Sequence, residues 1–307
     1  MLNFKPIELS DKDWIRPLVR CENSRSADTS FGAMYLWSAG EKRFVSRCGD
    51  RIVLMMTERE TPYFLFPFGC GSLAPVIEEM KEYCASIKKP LAIGGITENY
   101  VPVLEKLFPG EFDIERDRRY DDYVYDAEKL ATLTGKALHA KRNHINSFEN
   151  TYNDWRFEPL RKEYINLCED VLEEWIDADP EHVERDIFDE KNTLLRGLRE
   201  FDQLGMLGGV LFAGGKPVAF TLGERLCDDT FVVHFEKAVA DIRGAYPMIN
   251  REFVRYIMSQ IPEIKYINRE DDMGLENMRK AKESYHPVMM VEKYVALNAP
   301  EQWPSGL

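Results

Sequence analysis

The chain lacks most of the features that would assign it to a common class. Its uninterrupted apolar runs are a handful of residues long, far short of a bilayer span. The N-terminus, MLNFKPIELSDKDW, has no basic stretch followed by an apolar core, so no signal peptide and a cytoplasmic location are expected. Six cysteines (Cys21, Cys48, Cys70, Cys84, Cys168, Cys227) are scattered without a CxxC pair. That argues against a zinc knuckle or a disulfide framework and predicts free thiols in a reducing compartment. Positive charge is short: 40 Lys and Arg against 53 Asp and Glu leave a net charge of −13. Such a surface repels DNA and anionic membrane on average. No GxSxG, HExxH or Walker loop occurs, which argues against serine hydrolase, zinc protease and P-loop chemistry. The acidic run Glu270-Asp271-Asp272 has no flanking His, so no metal site is expected.

What remains is a globular composition, 44% hydrophobic and 30% charged over 307 residues, enough for two domains. Hydrophobic spacing predicts helices over 8–20 and 30–38, strands over 43–47, 51–57 and 63–67, a helix over 73–87, a strand over 90–96 and a helix over 100–108. Segments 112–118 and 123–126 read as paired strands. The second half repeats the order, with helices over 161–176 and 188–201 and a three-strand meander over 206–212, 217–224 and 230–236. A helix from Pro247, a strand over 264–267, a helix over 274–285 and a terminal strand over 288–296 follow. The fold class expected is α/β with mixed sheets. The helix-compatible stretch Thr134–Asn150 suggests a junction, giving domains 1–133 and 134–307.

The most informative segment is DTFVVHFEKAVADIRGAYPMIN, Asp229–Asn250. A strand runs into Arg243-Gly244-Ala245-Tyr246 and then into an amphipathic helix. A small-residue turn opening a helix aims backbone N–H groups, with the positive end of the helix dipole, at one point that suits a phosphate. On that reading the four residues anchor a nucleotide-bearing donor. Period-two alternation places His234 and Glu236 together, on the face opposite Phe231, Val233 and Phe235. Glu236 is then a candidate general base, and a salt-bridged or solvated face is the competing account. Lys237 points the other way and suits a phosphate or carboxylate. The N–H groups of Ala238 and Val239, at the strand end, are candidate oxyanion donors.

The element order in both halves resembles tandem acyl-CoA N-acyltransferases of the GNAT type. Arg243-Gly244-Ala245-Tyr246-x-x-Ile249 is similar to their RGxGxxL loop, with Tyr246 where a second glycine and Asp241 where a Gln or Arg would stand. Two longer motifs, GKALHAKRNHIN from Gly135 to Asn146 and NREDD from Asn268 to Asp272 followed by RKAKESYHP from Arg279 to Pro287, resemble a wider group. That group is a domain-of-unknown-function family related to the C-terminal domain of phosphatidylglycerol lysyltransferases. The resemblance implies two tandem GNAT-like domains and, by analogy, a transferase that moves an acyl or aminoacyl group to an amine-bearing acceptor. It implies coenzyme A or acyl-CoA as donor, with Asn268 and Lys280 joining the donor site, and Tyr285 as the acid that protonates the leaving sulfur. Lys141, Arg142, Asn143 and Asn146 are expected to line an acceptor cleft between the halves, and Glu270 and Asp271 to recognise the amine. Two alternatives stay open. One is an aminoacyl-tRNA-dependent transferase, which needs Arg116–Arg119 or Lys136–Arg142 as a basic tract. The other is a non-catalytic ligand-binding module.

Overall fold

A computed structural model describes residues 2–38, 43–57, 61–178 and 185–298, without the side chains of 185–189. It divides into two compact units. The first is Met1–Asp122 with Asp271–Leu275 and Met290–Leu307; the second is Tyr123–Glu270 with Glu276–Met289. The division differs from the expected junction at 134–150 because strand partners, not chain order, decide membership.

The sheet of the first unit orders its strands Lys5–Pro6, Arg43–Cys48, Arg51–Met56, Tyr63–Leu65, Ala92–Thr97, Lys293–Leu297 and Asp113–Arg116, with Phe68–Gly69 paired to Arg51–Met56. Tyr63–Leu65 runs parallel to Ala92–Thr97, and the helix Ala74–Ser86 makes the crossover. That helix buries Val76, Ile77, Met80 and Cys84, which share one helical face, against Val53, Phe64, Phe66 and Ile93.

The sheet of the second unit runs Met289–Val291, Asp122–Asp126, Tyr266–Asn268, Thr230–Ala238, Lys216–Arg225, Leu207–Ala213 and Arg156–Pro159. Thr230–Ala238 is parallel to Tyr266–Asn268, and the helix Ala245–Gln260 makes the crossover. Met248, Ile249, Phe253, Val254 and Ile257 form its buried stripe. Parallel pairing covers only Thr230, Phe231 and Val232. From Val233 to Ala238 that edge of the strand meets no residue of Tyr266–Asn268.

The helix–meander–helix order of each half is as the sequence indicates, but three readings need correction. Segments 112–118 and 123–126 are not partners. Asp113–Arg116 pairs with Lys293–Leu297, and Asp122–Asp126 with Tyr266–Asn268. The terminal strand is two strands, Met289–Val291 and Lys293–Leu297, that belong to different sheets. Alternation alone cannot reveal which of several apolar strands becomes the neighbour. The cysteines are not all free: Cys21 and Cys70 form a disulfide across 49 residues, while Cys48, Cys84, Cys168 and Cys227 remain thiols. Isolated cysteines far apart in sequence carry no spacing signal for such a bridge.

One buried ion cluster supports the first sheet. Lys293 Nζ lies 2.8 Å from both Asp28 and Asp122, and the second oxygen of Asp122 accepts the Ala27 N–H at 2.7 Å. Burial opposes the Lys293 charge, yet the two carboxylates hold its pKa above the ordinary lysine value. Among the described residues, no helix is long and apolar enough to cross a membrane.

Candidate active site

Side chains from six segments of the second unit meet where the two parallel strands part. Glu236, on Thr230–Ala238, is the centre. Its Oε1 accepts from Arg269 Nη2 at 2.9 Å, and its Oε2 accepts from Asn250 Nδ2 at 3.0 Å. Arg269 follows the strand Tyr266–Asn268, and its guanidinium lies 4.9 Å from the Tyr285 ring and 5.8 Å from the Tyr125 ring. Lys282 Nζ donates to the Arg269 carbonyl at 2.6 Å and so fixes the backbone that carries the guanidinium. Lys141, on the helix His139–Thr151, sets its ammonium 4.0 Å from the Tyr285 ring centre. Cations over aromatic faces are favourable, and more so when desolvated.

The electrostatics follow from this crowding. Burial, with the Arg269 charge adding to it and Glu236 opposing, pushes Lys141 down to about 8. Burial raises the Tyr285 phenol, against the pull of Arg269 and with the help of Glu236, so it keeps its proton at neutral pH. A protonated phenol, a lysine poised near neutrality and a carboxylate in one place can supply and receive protons.

A β-bulge determines which face Glu236 uses. Leu222 pairs with Phe235 and Gly223 with Val233, so His234 is the extra residue. A Cβ on Gly223 would come within 2.1 Å of the Val232 carbonyl, so only glycine fits opposite the bulge. Alternation reverses across it. Phe231 packs edge-on against Phe253 of the helix Ala245–Gln260, and Glu236 reaches Asn250 of the same helix. Glu236 therefore shares the face of Phe231, contrary to strict alternation. His234 makes its own clamp, donating from Nδ1 to Glu270 at 2.7 Å and from Nε2 to Glu224 at 3.3 Å. Two carboxylates only accept, so both ring nitrogens carry protons. Burial works against that charge, but the two hydrogen bonds outweigh it and raise the pKa to about 9.

Several expected donor-site residues are occupied by the protein itself. The Val239 N–H is given to the Val218 carbonyl at 2.9 Å. Val239 is therefore not an open oxyanion donor, and Ala238 is buried at the strand end. Lys237 does point away from Glu236, but the carboxylate it holds is Glu190 at 2.9 Å, and its ammonium sits 3.6 Å from the Trp175 ring centre. In the turn, the Ala245 N–H bonds the Ile242 carbonyl at 3.1 Å, and Pro247 has no N–H to offer. Gly244 has φ +89°, and a Cβ there would lie 2.5 Å from the His144 carbonyl. Close approach of the helix His139–Thr151 therefore accounts for this glycine. Gly244→Ala is expected to cost about 1–3 kcal/mol from the left-handed backbone alone, and more from the contact. Chemical denaturation measures this, and an unchanged midpoint would remove the packing explanation. Arg243 is exposed.

The remaining candidates scatter. Asn268 is buried and accepts the Glu270 N–H at 2.6 Å, a turn-forming role. Lys280 is on the surface, paired with Glu276. Arg142 folds back onto the carbonyls of Leu133 and Gly135, capping the preceding helix end. Asn143 and Asn146 are exposed, and Asn143 reaches His139, at 3.4 Å. Glu270 is committed to His234, and Asp271 accepts the Met273 N–H at 3.0 Å. Of the residues singled out from sequence, the structure brings together Glu236, Tyr285 and Lys141. It adds Asn250, Arg269 and Tyr125. Asn250 carried a signal, being a polar residue inside the apolar stripe of its helix. Arg269, within a charged run, carried none.

The second unit thus presents a parted parallel pair, a crossover helix and a polar cluster at the parting, and the chain as a whole is similar to several solved structures. A conserved protein of unknown function from Bacteroides thetaiotaomicron is 38% identical with a TM-score of 0.92, over 97% of this chain and 99% of that one. The structure of L-PGS from Bacillus licheniformis aligns at TM-score 0.70 and 13% identity, over 95% of this chain and 92% of that one. The C-terminal domain of a putative lysylphosphatidylglycerol synthetase from Agrobacterium fabrum aligns at 0.68 and 12%, over 94% and 91% of the two chains. An uncharacterised protein of Mycoplasmoides gallisepticum is 26% identical over 185 residues, 57% of this chain and 55% of that one, so the match spans about half of that relative. The fold is the one of these solved lysylphosphatidylglycerol synthetase domains. Residues 20–297 match the family described as phosphatidylglycerol lysyltransferase, C-terminal, and the chain belongs to that family.

Proposed function

We propose that this protein transfers an acyl or aminoacyl group from an activated ester or thioester to an amine-bearing acceptor, with the chemistry in the second unit. The observation that carries the reading is the buried set Glu236, Arg269 and Tyr285 at the parting of the two strands. Family membership supports a transferase. In this reading Glu236 receives the proton of the attacking amine, each of its oxygens keeping a lone pair beside the hydrogen bond it already accepts. Tyr285 returns a proton to the departing sulfur or oxygen.

An aminoacyl ester is the donor favoured over coenzyme A. The turn at 243–246, which a pyrophosphate would need, spends its Ala245 N–H on Ile242 and its glycine on the His144 carbonyl. The arginines of the other basic tract are committed as well. Arg116 pairs with Asp121 and Glu292, Arg118 with Asp272 and Arg119 with Asp117. Lys136 and Arg243 are exposed cations of the second unit that suit donor phosphates.

The test presents acetyl-CoA and a mixed aminoacyl-tRNA pool in parallel to a panel of amines and follows label transfer. Transfer from aminoacyl-tRNA is expected, and Tyr285→Phe should slow it on the order of 10²-fold. Transfer from acetyl-CoA alone would reverse the donor assignment. No transfer from either would leave a binding module.

A further inference from the structure

The strand Asp113–Arg116 ends the sheet of the first unit, and among the described residues its outer edge meets no other strand. Just past it, the Asp117 N–H donates to the Lys293 carbonyl at 3.0 Å. Antiparallel ladders alternate, so Glu115 and Asp113 turn their backbone groups inward to Val295 and Leu297. Ile114, between them, turns its N–H and carbonyl outward. An open edge of this kind is a template for a further strand.

The side chains of the strand divide by face. Ile114 packs against the core that contains Leu104 and Phe108, which puts Asp113 and Glu115 on the opposite face. On the Ile114 side lies a groove of about 340 Å³, lined by Leu104, Glu105, Phe108, Phe112 and Ile114 among others. The Phe108 and Phe112 rings stand edge to face, 5.9 Å apart. The Lys81 ammonium lies 5.0 Å from the Phe108 ring centre and is matched by Glu111 at 2.6 Å and Glu78 at 3.3 Å. Glu105, Asp113 and Glu115 are exposed and make no ion pair among the described residues. Lys106 is the one cation of the helix Val101–Leu107, so the surroundings of the groove are acidic.

We propose that this edge takes up an extended segment of a partner protein in which one large apolar residue stands between two cationic ones. The main chain of the apolar residue pairs with the outward N–H and carbonyl of Ile114. Its side chain shares the face of Ile114 and enters the groove, which is at the small end of the ligand-sized range and holds one large side chain. Its two neighbours project to the other face, opposite Asp113 and Glu115, where unlike charges stabilise a strand pair. Main-chain bonds supply affinity, while the groove and the carboxylates supply selection. A second copy of this chain is a poor occupant. Two of these strands side by side would set Asp113 and Glu115 against the same carboxylates of the copy, which is repulsive. The charges that keep two copies apart admit a cationic partner.

The test titrates isotope-labelled full-length protein with end-blocked peptides and follows the Ile114 amide by NMR, assigned with Ile114→Val. The peptides are Thr-Lys-Phe-Lys-Thr, an analogue with Ala for Phe and an analogue with Glu for both Lys. The first is expected to shift the Ile114 amide saturably and to bind on the order of tenfold more tightly than either analogue. The paired variant Asp113→Lys with Glu115→Lys changes only exposed residues and should reverse the order of the Lys-flanked and Glu-flanked peptides. Equal binding of the Phe-centred and Ala-centred peptides would reduce the contact to charge and overturn the proposal. An unmoved Ile114 amide, or a paired variant that still prefers the Lys-flanked peptide, overturns it as well. Sedimentation tests the other occupant. Self-association that Ile114→Pro abolishes would make the partner a second copy and overturn the assignment, because proline removes only an outward N–H from an edge strand.

Discussion

Arg269→Ala is expected to destabilise the second unit by about 3–5 kcal/mol, the cost typical of stripping one partner from a buried ion pair. Glu236 is 7% exposed at its side chain and Arg269 15%, so water reaches neither well. With the guanidinium gone, Asn250 alone is left to hold a buried carboxylate. The ring of Tyr285 loses one of its two cations and keeps the Lys141 ammonium, 4.0 Å from its centre. The paired variant Glu236→Gln with Arg269→Met should recover most of the loss, because a neutral, well-filled site has no charge to desolvate. Urea denaturation of the native protein, Glu236→Gln, Arg269→Met and the paired variant gives the coupling energy directly. If Arg269→Ala alone fell within about 0.5 kcal/mol of the native protein, as ordinary surface changes do, the cluster would be solvated and its catalytic assignment would lose its basis.

Stability should also fall as pH rises from about 6.5 to about 9, through deprotonation of His234. The sign follows from the direction of the shift. The folded pKa, about 9, lies above the ordinary histidine value of 6.5. The clamp therefore contributes fully below the lower value and is lost as pH passes through the upper one. A shift of that size corresponds to roughly 3 kcal/mol. Lys141 works in the opposite direction. Its folded pKa is depressed to about 8 from 10.5, so its burial penalty fades as pH climbs through that range. The two windows overlap near pH 8 to 9, and the native profile alone would blur them. The difference between native protein and His234→Gln isolates the imidazole. That difference should be largest below pH 6.5 and shrink by pH 9. A difference that stays constant across the range would mean that Glu224 and Glu270 do not hold an imidazolium.

Much of this was legible in the sequence, for stated reasons. Helices with apolar residues every three or four positions, such as Ala245–Gln260, declare their buried face. The hairpin at Gly214-Gly215 and the meander it belongs to were equally plain. Strand partnership was not, because Asp113–Arg116 and Asp122–Asp126 are neighbours in sequence and members of different sheets. The candidate Glu236 was placed by an alternation rule that the bulge at His234 breaks, so it lies on the face of Phe231 and not on the one expected. The anchor at 243–246 looked like a phosphate loop because close helix packing and phosphate binding both ask for glycine at the same position. Only the His144 carbonyl, a backbone atom with no sequence signature, separates the two.

The placement of Lys293–Leu297 has an implication for biosynthesis. This segment is an interior member of its sheet, flanked by Ala92–Thr97 and Asp113–Arg116. A ribosome that has delivered the first 122 residues has therefore released two sheet fragments with an unfilled slot between them. Native closure of that layer waits until residue 297 emerges, so losing Lys293–Leu297 opens the middle of a sheet and does not merely fray its border.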